Sequence, residues 1–256
     1  MVLGTGALAG HQVSGWYLVL ACSGALLVYH ADRAFNIPQE DYENAPNRVS
    51  WYQSHRSYLL ATSIVAIGLA GISTFYLPLH VLVLGAVLGG LGLIYGVIIP
   101  GTGFRIKDVP LAKTLLIIVC WVFGSVILPF KGAVASPFLL LLAGYKAVTI
   151  LPNILVADWI DKEGDKKQGV ISSGVWLGWN GVRYATLGCL LLGLIAVYQI
   201  PNFEGMRWLG MVDLVGLATM TFVVWRSSKN NVPDVVYFDL LVGFSFVTWL
   251  LWLVVP

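Results

Sequence analysis

The sequence predicts an all-α, polytopic membrane helix bundle. Mean hydropathy is +0.81, and 58% of residues are hydrophobic against 11% charged, a balance foreign to water-soluble domains. Apolar runs of about 20 residues recur, the length a helix needs to cross ~30 Å of hydrocarbon. Lys and Arg are sorted almost entirely into alternate loops, as the positive-inside rule requires. One transmembrane domain over residues 1–256 is expected, with no soluble domain, linker or low-complexity segment. The net charge of +2 says little, and no nucleic-acid partner is expected.

Residues 1–13 are short, apolar and Gly-rich, and read as the tail of a helix that has lost its beginning; they lack the basic start of a signal peptide. Eight full spans follow, at about 15–31, 58–77, 79–99, 112–130, 137–157, 180–199, 207–225 and 236–255. Gly85-x-x-x-Gly89 and Gly92-x-x-x-Gly96 on the third span read as close-packing pairs. The long loops 32–57, 100–112 and 158–179 share the basic side, with Arg33, Arg48, Arg56, Arg105, Lys107, Lys113, Lys162, Lys166 and Lys167 among its charges. The other side holds only Lys131 and Arg207. The basic side is therefore expected in the cytoplasm, most simply in the plasma membrane of a bacterium. Cys22, Cys120 and Cys189 lie in apolar runs without metal or disulfide spacing. No His cluster points to haem or zinc.

The chemistry gathers at the basic mouth. Residues 158–169 read Asp-Trp-Ile-Asp-Lys-Glu-Gly-Asp-Lys-Lys-Gln-Gly directly after an apolar run. If the helix continues, Asp158, Asp161 and Asp165 fall at i, i+3 and i+7 on one face. Three stacked carboxylates suit water, or a hard cation such as Mg²⁺, which takes oxygen ligands. A weaker partner ends the first span: Asp32 and Asn36, at i and i+4. Alone it reads as a solvated helix end; facing the other segment, it reads as half of a site in which Mg²⁺ bridges a diphosphate. Arg105, Lys107 and Lys113 supply cations on the loop 101–113, with Tyr95 just before it. These are simple loop decoration or a phosphate clamp.

This combination resembles the UbiA superfamily of intramembrane prenyltransferases. Asp158 to Gly169 is similar to the family's second motif, Asp-x-x-Asp-x-x-Gly-Asp followed by basic residues and a Gly. The family's first motif, Asn-x-x-x-Asp-x-x-x-Asp, is here Val28-x-x-x-Asp32-x-x-x-Asn36, and its Asn-x-Pro-x-Arg element matches Asn44 to Arg48 after an insertion. Tyr95 to Lys113 looks like the family's Tyr and Lys/Arg segment. The resemblance implies nine helices around a central cavity under cytoplasmic cap loops, with the first helix here missing or truncated.

It also implies an enzyme that ionises a prenyl diphosphate with Mg²⁺ and transfers the prenyl group to an aromatic or lipid acceptor drawn into the membrane lipid. Asp32, Asn36, Asp158, Asp161 and Asp165 would hold the metal. Arg48, Arg105, Lys107, Lys113, Lys166, Asn153 and Tyr95 would hold the diphosphate, with Asp161, Asp165, Arg105, Lys107 and Lys146 in the catalytic set. Lys146 lies within a span, a costly place that marks either a cavity or a charged partner on a neighbouring helix. Asn153 shares its face, and Pro152 is expected to bend the helix below the motif. Four other readings remain open: a membrane terpene cyclase, a cation or lipid transporter, a non-catalytic isoprenoid-binding protein, and a purely structural membrane subunit.

Overall fold

A computed structural model gives the fold; it describes residues 1–35, 37, 39, 41–94, 109, 111–130, 137–167, 169–199, 207–229 and 247–254. In chain order the helices are α1 (Val2–Leu8), α2 (Gly15–Phe35), α3 (Asp41–Asn44), α4 (Pro46–Ser54), α5 (Arg56–Ser73), α6 (Leu79–Ile94), α7 (Ala112–Val122), α8 (Pro137–Ile160), α9 (Lys162–Lys167), α10 (Ser173–Gln199) and α11 (Arg207–Arg226). A π-helical stretch, Phe123–Ile127, prolongs α7. The described residues form no β-strand. Arg56–Ser73, Pro137–Ile160, Ser173–Gln199 and Trp208–Arg226 are long and apolar enough to cross a membrane, and Gly15–Ala31, Leu79–Ile94 and Ala112–Ile127 are shorter apolar helices. Of the expected span 236–255, residues 247–254 are described, and they are helical.

The polar segment expected as a loop at 158–179 is mostly helix. The membrane-length α8 runs on to Ile160, α9 resumes at Lys162, and α10 begins at Ser173 rather than near residue 180. Propensity hides this start, because Gly174 and Gly178 are poor helix formers. Packing produces it: a Cβ on Gly174 would stand 2.5 Å from the Trp159 nitrogen and 2.8 Å from the Leu155 carbonyl oxygen. Only glycine lets α10 approach the α8 backbone so closely. Gly178, at φ 67° and ψ 168°, then breaks α10 locally.

The chain divides into two compact units. The first comprises Met1–Val13, Ile117–Ile160 and Ser173–Pro256. Here α10 packs along both α8 and α11, and α1 lies on the π-helical stretch and α11. One cluster joins Ala7 and Leu8 of α1 to Val126, Leu142, Tyr145, Val197 and Leu217. A second holds Leu155, Val156, Trp179, Val182, Met220 and Val224. Leu142 meets Val197 in one cluster and Leu155 meets Trp179 in the other, so α8 and α10 run antiparallel. α8 stays helical through Pro152, which costs one backbone hydrogen bond.

The second unit comprises Ser14–Leu116 and Asp161–Ser172. α2 packs on α5 and α6, and the short α3 links α4 to α9. Gly92 brings α6 close to Val28 of α2, whereas Gly89 has open space and Gly96 lies outside the described residues. Ile64, Val65 and Leu79 are 60–74% exposed on α5 and α6, a display suited to lipid rather than water. His30 of α2 bonds Ser63 of α5 at 3.0 Å, satisfying a buried imidazole.

Candidate functional site

Within the second unit, α9 docks on α3 through a glycine. The Gly164 N–H donates to the Asn44 Oδ1 at 2.9 Å, and a Cβ on Gly164 would collide with the same amide. Lys167 reaches Glu43 at 2.6 Å on the exposed rim. Glu163 and Asp165 fall in the first turn of α9 and Lys166 and Lys167 in its last, signs that match the helix dipole, whereas Lys162 at its start does not. The three aspartates do not ride one unbroken helix, since Asp161 is a turn residue between α8 and α9. The Asp165 N–H still bonds the Asp161 carbonyl at 3.1 Å, so the two carboxylates stay one helical turn apart.

The acids differ in exposure: Glu163 is exposed and Asp161 half-buried. Asp165 is 3% exposed. Burial pushes the Asp161 carboxyl up to about 6; nearby Asp165 and Asp41 raise it too, while Lys113 and Arg48 pull it down. Two of the cations expected to meet phosphate, Lys113 and Arg48, and one of the other acids expected near metal, Asp165, therefore act on Asp161 in a single partly dehydrated cluster. Among the described residues, no group of three or more His, Cys, Asp or Glu stands ready to hold a metal.

No family model, no curated protein and no solved structure matches this chain.

What the cluster can do follows from its groups. Mg²⁺ is commonly held by only one or two carboxylates, with phosphate oxygens and water completing its shell. Asp161 and Asp165 offer such a hard-oxygen donor set, and the fit is to a metal that arrives with a phosphate. Lys113 and Arg48 carry the charge that a diphosphate would neutralise. Lys166 is exposed on α9. Tyr95, Arg105, Lys107 and Asn36 lie outside the described residues, as does the side chain of Asp32 on the last turn of α2.

The remaining expected residues belong to the first unit. Asp158, 1% exposed, accepts the Ser173 hydroxyl at 2.6 Å. Lys146 is fully buried and pairs with Asp213 of α11 at 2.5 Å. The Tyr145 hydroxyl donates to the same carboxylate and to the Gly210 carbonyl, each at 3.2 Å. Of the two environments the sequence left open for Lys146, a cavity or a charged neighbour, the structure provides the neighbour. Sequence reasoning missed Asp213, although it is the one acid in the apolar run 207–225. An acid in one span and a lysine in another were the signal. Asn153, half-buried on α8, has a buried Oδ1 with no hydrogen-bond partner.

Proposed function

We propose that this chain is a Mg²⁺-dependent intramembrane prenyltransferase of the UbiA type, which breaks the C–O bond of a prenyl diphosphate and passes the prenyl group to an aromatic or lipid acceptor. The observation that carries the reading is the Asp161 cluster: a half-buried carboxyl pushed up to about 6, with Asp165, Lys113 and Arg48 acting on it, directly after a helix of membrane-spanning length in the chain. In this reading the chain crosses the bilayer eight times, and its basic loops cap the site on the cytoplasmic side.

Diphosphate is a poor leaving group until its charge is neutralised. Lys113 and Arg48 would do part of this, joined by Arg105 and Lys107 of the loop 101–113. Asp161 and Asp165 would hold the metal, with Asp32 and Asn36 as further oxygen donors. The metal, when bound, supplies the charge neutralisation that lets pyrophosphate depart. The apolar helices would bury the prenyl tail and keep water from the developing cation.

The test is pyrophosphate release by purified protein in detergent, with Mg²⁺ and prenyl diphosphates of ten to twenty carbons. Asp161→Ala/Asp165→Ala is the control. Mg²⁺-dependent release that the control loses supports the reading; product formed without any acceptor would redirect it to a cyclase. A second reading, isoprenoid or cation binding without turnover, keeps the Asp161 cluster as a ligand site and drops the ionisation step. It requires bound Mg²⁺ or lipid with no pyrophosphate released.

A further inference from the structure

A cavity of about 590 Å³ opens at the C-terminal end of α11, lined by Phe222, Val223, Arg226, Ser227 and Ser228. All five belong to the first unit, whereas Asp161, Arg48 and Lys113 belong to the second, so the inference does not rest on the diphosphate reading. Trp208–Arg226 is long and apolar enough to cross a membrane, and Arg226 stands where such a helix leaves the hydrocarbon. Two aromatic rings mark the same level. Trp225 is the adjacent residue, and Tyr184 of α10 meets it edge to face at 5.7 Å, as rings at a lipid–water boundary commonly do.

The usual tasks of a cation at a helix end are already done here by another. A basic side chain in the last turn ordinarily binds the open carbonyls. Arg183 of α10 does so instead: its Nη2 donates to the Trp225 and Ser227 carbonyls at 2.8 and 2.9 Å, and its Nε to the Val224 carbonyl at 3.4 Å. Its guanidinium lies 5.6 Å from the Trp179 and the Trp225 rings. Nor is an acid at hand. Among the described residues of the first unit the acids are Asp158 and Asp213, both buried, the one bonded to Ser173 and the other to Lys146. Arg226 is exposed and makes no hydrogen bond or ion pair among the described residues.

The lining fixes the chemistry of a ligand. A guanidinium offers a planar fork of donors that fits phosphate oxygens two at a time. Ser228 is exposed and adds a hydroxyl, while the Ser227 hydroxyl already donates to the Val223 carbonyl at 2.8 Å. Phe222 precedes Arg226 by four residues, on the same face and about 6 Å back along the axis, and is 65% exposed. A phosphate held by Arg226 and carrying an alkyl chain would lay that chain on Phe222 and Val223, covering apolar surface that a free phosphate ion leaves bare. The described lining holds no carboxylate, so the ammonium of a zwitterionic headgroup finds no partner. We propose that this cavity binds the phosphate of an anionic phospholipid. Arg226 takes the phosphate with Ser228 beside it, and Phe222 and Val223 take the first part of an acyl chain.

The experiment titrates the purified chain, in detergent with EDTA, with dioleoylphosphatidylglycerol, dioleoylphosphatidylcholine and the soluble glycerol 1-phosphate. Affinity is read from the concentration dependence of the melting temperature. Phosphatidylglycerol should bind about tenfold tighter than phosphatidylcholine, the factor one charge-assisted hydrogen bond supplies, and glycerol 1-phosphate should not register at the same concentrations. Arg226→Gln should erase the preference, and Arg226→Lys, which keeps the charge and loses the fork, should fall between. Phe222→Ala should weaken both lipids about threefold or more. Arg226 and Phe222 are exposed, so without lipid these variants should melt with the parent. Lys229→Gln removes a neighbouring charge outside the lining and should change the preference less than about twofold. Equal binding of the two lipids overturns the proposal, as does a preference that survives Arg226→Gln. A loss under Lys229→Gln as large as that under Arg226→Gln also overturns it, since the attraction would then be to a basic surface at large. Glycerol 1-phosphate binding as tightly as phosphatidylglycerol overturns the lipid in favour of a soluble phosphate ester.

Discussion

The Lys146–Asp213 pair makes the sharpest quantitative prediction. Both side chains are out of solvent, at 0% and 5% exposure, and 2.5 Å apart; the Tyr145 hydroxyl adds a third group to the same carboxylate. Removing either charge strands the other. Asp213→Leu or Lys146→Met should each cost about 3–5 kcal/mol, because an uncompensated charge stays buried. In a chain of this length that is a fall of roughly 6–20 °C in melting temperature. The double variant Lys146→Met/Asp213→Leu leaves no charge behind and should recover most of the loss, as buried pairs replaced by apolar groups commonly do. Tyr145→Phe removes only hydrogen bonds and should cost about 1 kcal/mol. Thermal unfolding of the four variants in one detergent provides the double-mutant cycle. Losses that simply add in the double variant would refute the reasoning, since the two charges would then not be acting on each other.

Other expectations follow from the second unit. Asp161 binds its proton more tightly in the folded chain than its ordinary value of 3.8 allows, so its contribution to stability is greatest below about pH 4 and is lost as pH rises to about 6. Melting curves of wild type and Asp161→Asn should therefore diverge across that window, the variant becoming relatively more stable at the higher pH; parallel curves would contradict the burial. Protons compete with metal for the same oxygens, so stabilisation by added Mg²⁺ at pH 7.5 should fade below pH 6, and a pH-independent effect would place the ion elsewhere. Gly164→Ala displaces the Asn44 amide and breaks its bond, and should cost about 1–3 kcal/mol, measured by chemical denaturation. Lys167→Ala, by contrast, loses only a half-exposed pair and should stay within about 0.5 kcal/mol of wild type.

The helices were legible in the sequence because lipid demands long apolar runs: α5, α8 and α11 fall where hydropathy puts them. The start of α10 was not legible. Its first turns carry Gly174 and Gly178 and owe their helicity to contact with α8, which propensity does not encode. Spacing put Asp158, Asp161 and Asp165 on one face; Asp161 and Asp165 do stay one turn apart, with Lys113 and Arg48 acting on Asp161, whereas Asp158 bonds Ser173 in the first unit. The turn at Asp161 was hidden, since nothing in Ile160-Asp161-Lys162 forbids a helix. Asp213 was missed for a different reason: a lone acid reads as an exception within its own span and acquires meaning only beside Lys146, 67 residues away in the chain.

The position of α1 sets a schedule for the molecule's birth. Ala7 and Leu8 are at most 2% exposed, yet α1 is covered by the stretch Phe123–Ile127 and by α11, which ends at Arg226. At a synthesis rate of 5–20 residues per second, the ribosome needs roughly 10–45 s to travel from α1 to the end of α11. Throughout that time α1 waits for its cover, while Ser14–Leu116 and Asp161–Ser172 belong to a unit that packs without it. A segment made well before its cover is thus among the last to be enclosed, and its apolar face stays open until α11 has been made.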